Sequence, residues 1–322
     1  MEIAVIKPGW FTTIQDLGRY GFQHFGVPVS GAMDRRSLVI GNRLVGNADK
    51  EAAFEITLKG PELLFRHDIV IAITGADLSP SINGLAVPLW QSLFIKAGGT
   101  LTFGARRTGT RSYLAVAGGI DVPTVFGSRS THVLSGTGGM KGRALIAGDV
   151  IACRSDVPSG IHRTERSLPA SLQPHYSSRQ AIHFISGPHV GAFAESALGY
   201  LISDSYRLSS QSDRMGFRLQ GPRVPIKTRR PHISDGTAMG AIQIPPDGRP
   251  ILLMADRQTT GGYPIIATVI SADLNRAGQL GPGESIKFAV TTLDAARKAT
   301  KTFWNELEEF LPPCEPTSCI GH

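Results

Sequence analysis

The feature that most constrains the fold is a series of short apolar segments, each bounded by glycine, proline, asparagine or aspartate. Runs of this length, often alternating and flanked by turn residues, are typical of β-strands. The clearest examples are Glu2–Ile6, Asp68–Thr74, Ser112–Gly118, Ala181–Ser186, Ile251–Ala255 and Ser285–Leu293. Tight turns are frequent enough to connect many strands, because the 322 residues include 37 glycines and 21 prolines. The sequence therefore predicts a mainly β fold.

Three segments have helical periodicity instead. In Met33–Gly46 apolar residues recur at helical spacing after Ser30 or Asp34, either of which can cap a helix. Pro188–Leu201 begins with a proline, which the first helical turn tolerates. Leu293–Leu311 has one apolar face and predicts a C-terminal amphipathic helix. A few short helices and this longer one are expected beside the strands.

The polar segment 156–180 is rich in proline and serine and has no clear periodicity, so it is the predicted linker. It separates an N-terminal domain, 1–155, from a C-terminal domain, 181–311, which is followed by a flexible tail, 312–322. The halves share weak similarity, such as IKAGGTLTFG in the first and LGPGESIKFAV in the second. This similarity predicts a duplicated, barrel-like β unit.

Charge and cysteine content limit the partners and the compartment. Lys and Arg outnumber Asp and Glu by 33 to 26, which favours an anionic substrate or an acidic partner. The basic pairs are scattered and lack interleaved aromatics, which argues against nucleic acid. No signal-peptide pattern or membrane-length apolar segment is present, so we expect a cytoplasmic protein without membrane contact. Cys153, Cys314 and Cys319 fit a reducing compartment, and the tail with His322 is interpreted as frayed rather than zinc-binding.

Several catalytic motifs are missing from the sequence. The absence of GxxxxGK[ST], GxSxG and HExxH argues against a standard P-loop, an autonomous serine hydrolase and a dedicated metal site. The sequence also lacks a Met-Lys-Met motif, so no biotin attachment site is expected on this chain. The glycine-rich segment Ser135–Leu145 is either a flexible surface loop or a nest of amides for an anion.

Two clusters of polar residues and glycines remain. The first, Thr12–Asp34, offers Arg19, Ser30 and Asp34 directly before a predicted helix, where arginine and free amides can bind an anion. Its alternative role is to cap loops. The second cluster places polar groups at strand ends, where scaffolds present functional residues, although such groups also satisfy the backbone of a barrel end. Its members are Arg214, Ser234, Asp235, Asp256, Arg257, Gln258, Thr259, Thr260, Gly261, Gly262 and Tyr263.

Long motifs in these regions resemble a known family. They are PGWFTTIQDLGRYGFQHFGVPVSGAMD, LAVAGGIDVPTVFGSRST, SDRMGFRLQGP and ADRQTTGGYPIIATVI, in this order. The resemblance, from about Ile3 to about Val290, is to the KipA family, which includes the C subunit of 5-oxoprolinase. The same family is also called biotin-dependent carboxyltransferase or allophanate hydrolase subunit 2.

The resemblance carries expectations for fold, partners and activity. It implies two cyclophilin-like β-barrel domains and two partners, a KipI-like protein and a LamB/YcsF-like protein. It also implies that the assembly uses ATP to open 5-oxo-L-proline to L-glutamate, and leaves open whether ATP touches this chain.

The implied chemistry assigns roles to the second cluster. A lactam is a poor electrophile until its oxygen is phosphorylated, and developing negative charge is stabilised by arginines and aligned amides. Arg214, Arg257 and the Gly261-Gly262 amides are the expected donors, with Asp235 or Asp256 as proton acceptor. Arg214, Asp235 and Asp256 are thus the catalytic candidates, and the other residues of both clusters are expected to contact substrate.

Two other functions fit the same resemblance. One is the carboxyltransferase component of a urea or amide carboxylase, which needs a separate biotin carboxylase and carrier. The other is a non-catalytic KipA-type regulator that binds a KipI-like inhibitor of a sensor kinase. Allophanate hydrolysis by this chain alone is disfavoured, because no amidase nucleophile motif is present.

Overall fold

The computed structural model describes residues 1–154, 166–176, 180–227 and 233–314. The chain divides into two compact units, the first comprising Met1–Arg19, Asp34–His175 and Asn305–His322, and the second Tyr20–Met33 and Tyr176–Trp304. The predicted boundaries therefore differ for Tyr20–Met33 and for the residues after Trp304. Residue 155, about half of the predicted linker (156–165 and 177–179) and the tail from 315 onward, including Cys319 and His322, lie outside the described residues.

Local contacts explain both differences. Met33 is fully buried in the hydrophobic core of the second unit, so the segment that ends there packs with that unit. Leu311 accepts a hydrogen bond of 2.9 Å through its backbone oxygen from Arg43 Nη1, inside the first unit. These contacts join residues far apart in sequence, which a boundary inferred from composition does not detect.

The first unit contains two antiparallel sheets. One has the strand order β11-β1-β4-β9-β6-β7 and the other β2-β3-β10-β5-β8. The strands are β1 (Glu2–Lys7), β2 (Phe11–Gln15), β3 (Ala53–Thr57), β4 (Glu62–Phe65), β5 (Ile69–Asp77), β6 (Pro80–Ile82), β7 (Leu85–Ala86), β8 (Ser92–Ile95), β9 (Thr100–Phe103), β10 (Thr108–Val116) and β11 (Val150–Ala152). Helix α1 (Arg35–Leu44) packs on β5 and β10, which explains why β5 is a nearly continuous apolar run rather than an alternating one.

The second unit is built on a closed barrel. Its strand order is β12-β19-β16-β17-β14-β13-β20, with β12 and β20 closing it as a parallel pair. The strands are β12 (Ile182–Ser186), β13 (Ser205–Leu208), β14 (Gly216–Gln220), β15 (Asp235–Gly236), β16 (Ala241–Gln243), β17 (Ile251–Leu253), β18 (Thr260–Gly261), β19 (Ile265–Val269) and β20 (Ser285–Val290). Along β20, Ile286 and Phe288 enter the core while Ser285 and Lys287 are exposed, as expected for a half-buried strand.

Helices are few in the described part of the chain. Besides α1 they are α2 (Ala197–Ile202), α3 (Ser271–Gly278) and α4 (Leu293–Phe310), with short 3-10 turns at Gln23–Phe25, Val133–Ser135, Ala170–Leu172 and Val190–Ala192. None of these described helices is long and apolar enough to cross a membrane. The prediction of a mainly β fold with few helices is confirmed, including the C-terminal helix.

The helix predicted over Pro188–Leu201 is wrong in its first half. A 3-10 turn at Val190–Ala192 is followed by extended backbone at Phe193, and α2 begins only at Ala197. Phe193 is buried and forms a β-bridge with Ile226, and this tertiary pairing interrupts the helix. Apolar periodicity alone does not reveal such a bridge.

Candidate functional site

A buried ion pair lies at the start of the polar turn between β17 and β19. Arg214 Nε is 2.9 Å from Asp256 Oδ2 and Arg214 Nη2 is 3.1 Å from Asp256 Oδ1, a two-point contact between guanidinium and carboxylate. Both side chains are only 9% exposed. The backbone reinforces the pair, because Asp256 N donates to Arg214 O at 2.8 Å. Two of the predicted catalytic residues are therefore in direct contact.

The same pair anchors the segment Tyr20–Met33 to the barrel. Ser30 Oγ donates to Asp256 Oδ1 at 2.7 Å, and Arg214 Nη2 donates to the backbone oxygen of Gly31 at 2.6 Å. Ser30 has a φ of 57°, a left-handed conformation that is costly for a residue with a Cβ. The predicted substrate contact Ser30 thus joins Arg214 and Asp256, and both oxygens of Asp256 are engaged within the protein. This geometry makes the group an anchor for the segment.

A short ribbon, β15 paired with β18, holds the other predicted catalytic residue. Asp235 lies opposite Gly261 and Gly236 opposite Thr260. The ribbon continues through Thr237, whose backbone N–H donates to Thr259 O at 3.0 Å and whose hydroxyl donates to Gln258 O. We call this group the ribbon site and define it as Asp235, Gly236, Thr237 and residues 257–263.

Buried Gln243 packs against the ribbon site. It is 1% exposed, and its amide nitrogen donates to Tyr263 O at 3.3 Å while its amide oxygen accepts from Gln258 Nε2 at 3.3 Å. A Cβ added to Gly261 would lie 2.5 Å from Gln243 Nε2, so a side chain at 261 requires the Gln243 amide or the ribbon to shift. Glycine at 261 therefore lets the ribbon backbone approach the buried amide.

The remaining predicted residues of the second cluster differ in exposure. Arg257 is half-buried, and its Nε and Nη1 lie 3.4 Å and 3.5 Å from the backbone oxygens of Thr237 and Met254. Ser234, Gly262 and Tyr263 are exposed. Exposed backbone and a guanidinium at one edge are suited to hold an anion or a developing oxyanion.

A cavity of about 260 Å³ shares Tyr263 with the ribbon site. Its lining includes two exposed arginines, Arg218 and Arg249, and the exposed carboxylate of Asp247, which is 4.0 Å from Arg249 Nε. The cavity is smaller than the ~300–1,000 Å³ sites that hold drug-sized ligands. Its size and basic side chains suit a small anionic metabolite.

His189 is part of this neighbourhood, although no sequence pattern pointed to it. Its Nε2 is 3.6 Å from Asp235 Oδ2, and its Nδ1 accepts a hydrogen bond of 3.0 Å from the backbone N–H of Ile265. Nothing in the local sequence marks it, because nine histidines are dispersed without ligand spacing. Buried Gln243 was missed too, since a glutamine at a strand end carries no motif.

The other two predicted residues of the first cluster lie within the first unit, where they have structural partners. Asp34 caps α1, accepting hydrogen bonds from Ser37 N at 3.0 Å and Ser37 Oγ at 2.7 Å. Its backbone N–H donates to the Tyr113 hydroxyl at 2.8 Å. Burial, with the nearby charges of Glu55 and Asp34, raises the pKa of Tyr113 well above its usual value. Asp34, not Ser30, is therefore the helix cap.

Arg19 is 1% exposed and donates through Nη2 to the backbone oxygen of Ser130. The glycine-rich segment Ser135–Leu145 lies nearby, since Gly138 closely approaches both Ser130 and Arg19. In that segment Gly139 N donates to Arg129 O at 2.9 Å and Gly142 N to Gly138 O at 2.7 Å. These two amides are already used by the protein, so the segment does not have the geometry of a phosphate nest at these positions.

The class of the domain that contains this barrel and ribbon follows from the comparison with a family model. The model of the family "Carboxyltransferase domain, subdomain A and B" matches residues 25–290, and the chain belongs to this family. This membership agrees with the resemblance seen in the sequence motifs.

Individual relatives refine the comparison. The chain is 40% identical to the 5-oxoprolinase C subunit of Escherichia coli over 92% of this chain and 94% of that protein. It is 38% identical to the 5-oxoprolinase C subunit of Haemophilus influenzae over 89% of this chain and 90% of that protein. The crystal structure of the K. lactis urea amidolyase superimposes with a TM-score of 0.90 at 32% identity, covering 100% of this chain and 20% of that one. The chain thus spans about a fifth of the urea amidolyase.

Proposed function

We propose that this chain is the C subunit of a multi-subunit, ATP-dependent 5-oxoprolinase that opens 5-oxo-L-proline to L-glutamate. The observation that carries the proposal is the 40% identity to the C subunit of E. coli 5-oxoprolinase over 94% of its length. We propose as partners a KipI-like protein and a LamB/YcsF-like protein. The chain is then a non-autonomous enzyme component, in keeping with its lack of a serine-hydrolase or P-loop motif.

The second unit offers a place for the substrate. 5-Oxoproline is a small carboxylate, and Arg218 and Arg249 give the cavity beside Tyr263 the charge to hold it. The lactam ring would then face the ribbon site, where Arg257 and the exposed backbone at Gly262 can stabilise negative charge on the former carbonyl oxygen. In this arrangement the cavity binds the substrate carboxylate and the ribbon site carries the ring-opening chemistry.

The reaction itself needs a nucleophile and a proton acceptor. ATP, bound in the assembled enzyme, supplies the phosphoryl group that activates the lactam oxygen. Water then bonds to C5, the C5–N bond breaks, and the nitrogen gains a proton, which leaves an acyl phosphate at C5. A second water cleaves this acyl phosphate and releases phosphate and L-glutamate. Exposed Asp235 is the better proton acceptor for the first water, because both oxygens of Asp256 already accept hydrogen bonds. Two amides of the Ser135–Leu145 segment, Gly139 N and Gly142 N, already have backbone partners, so we assign no ATP contact to this segment.

Co-purification with the KipI-like partner, followed by assays with and without the LamB/YcsF-like partner, tests the proposal. Glutamate released from 5-oxoproline should require ATP and all three chains. Arg218→Gln should raise KM for 5-oxoproline about tenfold or more, since a charge-assisted contact to the carboxylate is lost. Arg297→Gln, which removes an exposed arginine of α4 that does not line the cavity, is the matched control and should leave KM unchanged. An assembly that releases no glutamate would refute the proposal.

A carboxyltransferase acting on urea or a similar amide is the second candidate. It is favoured by the TM-score of 0.90 to the K. lactis urea amidolyase over the whole of this chain. It requires a separate biotin carboxylase and carrier. Urea-dependent carboxyl transfer by this chain, in which the carboxyl group leaves carboxybiotin and bonds to a urea nitrogen, would establish this candidate instead if 5-oxoproline activity is absent.

A further inference from the structure

His189 lies immediately before the 3-10 turn Val190–Ala192 and is fixed by two backbone hydrogen bonds. His189 N donates to Ile265 O at 3.2 Å, and Ile265 N donates to His189 Nδ1 at 3.0 Å. A backbone N–H only donates, so Nδ1 is the acceptor in this arrangement. The proton of the neutral imidazole is therefore on Nε2.

The protonated nitrogen faces a carboxylate. Nε2 is 3.6 Å from Asp235 Oδ2, just beyond hydrogen-bond distance. Catalytic hydrogen bonds are often this long without substrate and shorten when substrate is bound. The imidazole side chain is 16% exposed and the Asp235 side chain 66% exposed, so a held ring faces an accessible carboxylate. On its other side Asp235 is fixed by ribbon pairing with Gly261.

We infer that His189 is a positioning residue for the ring-opening step, and this inference rests on the proposed function. Its Nε2–H orients the Asp235 carboxylate toward the water that attacks C5. Asp235 takes a proton from this water as the oxygen bonds to C5. It returns the proton to the ring nitrogen as the C5–N bond breaks, so the carboxylate is regenerated. The acyl phosphate formed at C5 is then cleaved by a second water to phosphate and L-glutamate.

Two substitutions separate the two hydrogen bonds of the ring. In His189→Asn the amide oxygen can replace Nδ1 as acceptor for Ile265 N–H, but no donor reaches Asp235. In His189→Gln the amide nitrogen can replace Nε2 as donor to Asp235, while the acceptor for Ile265 is lost. His183→Asn is the matched control, since His183 is bonded through Nδ1 to Asp273 Oδ2 at 2.8 Å, a histidine–aspartate pair that contains no residue of the ribbon site.

The kinetic test uses the assembled enzyme and 5-oxoproline. We expect His189→Asn to lower kcat about 10- to 100-fold with little change in KM, the loss expected when a hydrogen bond to a charged group is removed. His189→Gln should stay within about threefold of the unsubstituted enzyme, because the donor is restored. His183→Asn should leave kcat unchanged. The reverse order, with Asn active and Gln impaired, would show a purely structural role and overturn the inference.

A spectroscopic test does not depend on catalysis. In the chain labelled with ¹⁵N-histidine, the ring signals that disappear in His189→Asn should have the Nε2–H pattern at about pH 8. An Nδ1–H pattern would refute the inference even if the enzyme opens 5-oxoproline. Conversely, an Nε2–H pattern in an assembly without 5-oxoprolinase activity would refute the proposed function and leave the hydrogen-bond geometry intact.

Discussion

Asp256→Ala should destabilise the second unit strongly. The substitution leaves the Arg214 guanidinium, with a side chain only 9% exposed, without its carboxylate. It also removes the acceptor of Ser30 Oγ, which lies 2.7 Å from Asp256 Oδ1. Loss of one partner of a buried ion pair costs about 3–5 kcal/mol, because an uncompensated charge remains inside the protein. We therefore expect the free energy of unfolding to fall by about this amount and Tm to fall by about 10 °C or more.

The surface pair of Asp247 and Arg249 in the same unit is the control. Its charged atoms are 4.0 Å apart and the side chains of Arg249 and Asp247 are 58% and 54% exposed, so Asp247→Ala should cost less than about 1 kcal/mol. Urea unfolding followed by circular dichroism gives the free-energy difference for both variants. The rate of chymotryptic cleavage at Phe25, which is 74% exposed, should rise if the segment Tyr20–Met33 detaches from the barrel.

A double replacement tests the cause of the loss. Arg214→Met with Asp256→Leu removes both charges, so it should be more stable than Asp256→Ala even though Ser30 and Gly31 lose their partners. The anchoring role assigned to this pair would be refuted by an Asp256→Ala variant as stable as Asp247→Ala. It would equally be refuted by a double variant less stable than Asp256→Ala with no change in cleavage at Phe25.

Three further results are expected. Gly261→Ala in the assembled enzyme should lower kcat/KM about tenfold or more, because the added Cβ displaces the Gln243 amide or the ribbon. Gly236→Ala, where a Cβ meets nothing within 4 Å, should not; equal activities would contradict this. Hydrogen bonding to Arg143 lowers the pKa of Asp149 in the folded protein. The contribution of Asp149 to stability is therefore present above the unfolded pKa of about 4 and is lost as pH falls through the lowered folded value. In acid unfolding, Asp149→Asn should weaken the dependence of stability on pH. Burial raises the pKa of Tyr206 to about 12. The contribution of Tyr206 to stability is therefore present below the unfolded pKa of about 10 and is lost as pH rises toward about 12. Tyr206→Phe should make the free energy of unfolding less dependent on pH across this range.

The polar turn between β17 and β19 shows how much of the local structure can be predicted from the sequence pattern. The predicted strand Ile251–Ala255 is present as β17, but it ends at Leu253, before the motif ADRQTTGGYPIIATVI begins, and β19 lies at the end of that motif. The two-residue strand β18 inside the turn was not predicted, because Thr260–Gly261 is too short to show a period. Its pairing with Asp235–Gly236 depends on where the barrel brings the two backbones together.

The candidate site also combines features that local sequence predicts with features that only the fold creates. Arg214, Asp235 and Asp256 are selected by their position at strand ends, and whether each takes part in catalysis stays a prediction. Position at a strand end does not reveal that Arg214 and Asp256 form a buried pair while Asp235 is exposed, because burial depends on tertiary packing. His189 was missed because its link to Asp235 spans a chain distance over which no spacing rule applies.

The sequence by itself determined the strand-rich class, a helix within Met33–Gly46, the C-terminal helix and the family, because periodicity and long motifs are local signals, whereas the structure decided that Asp34 rather than Ser30 caps the first helix. Only the tertiary structure decided that Tyr20–Met33 belongs with the second unit and that Ser30 meets Asp256 across 226 residues of chain. Only the tertiary structure placed His189 beside Asp235. Such contacts depend on the complete arrangement of the barrel strands, which no short stretch of sequence contains.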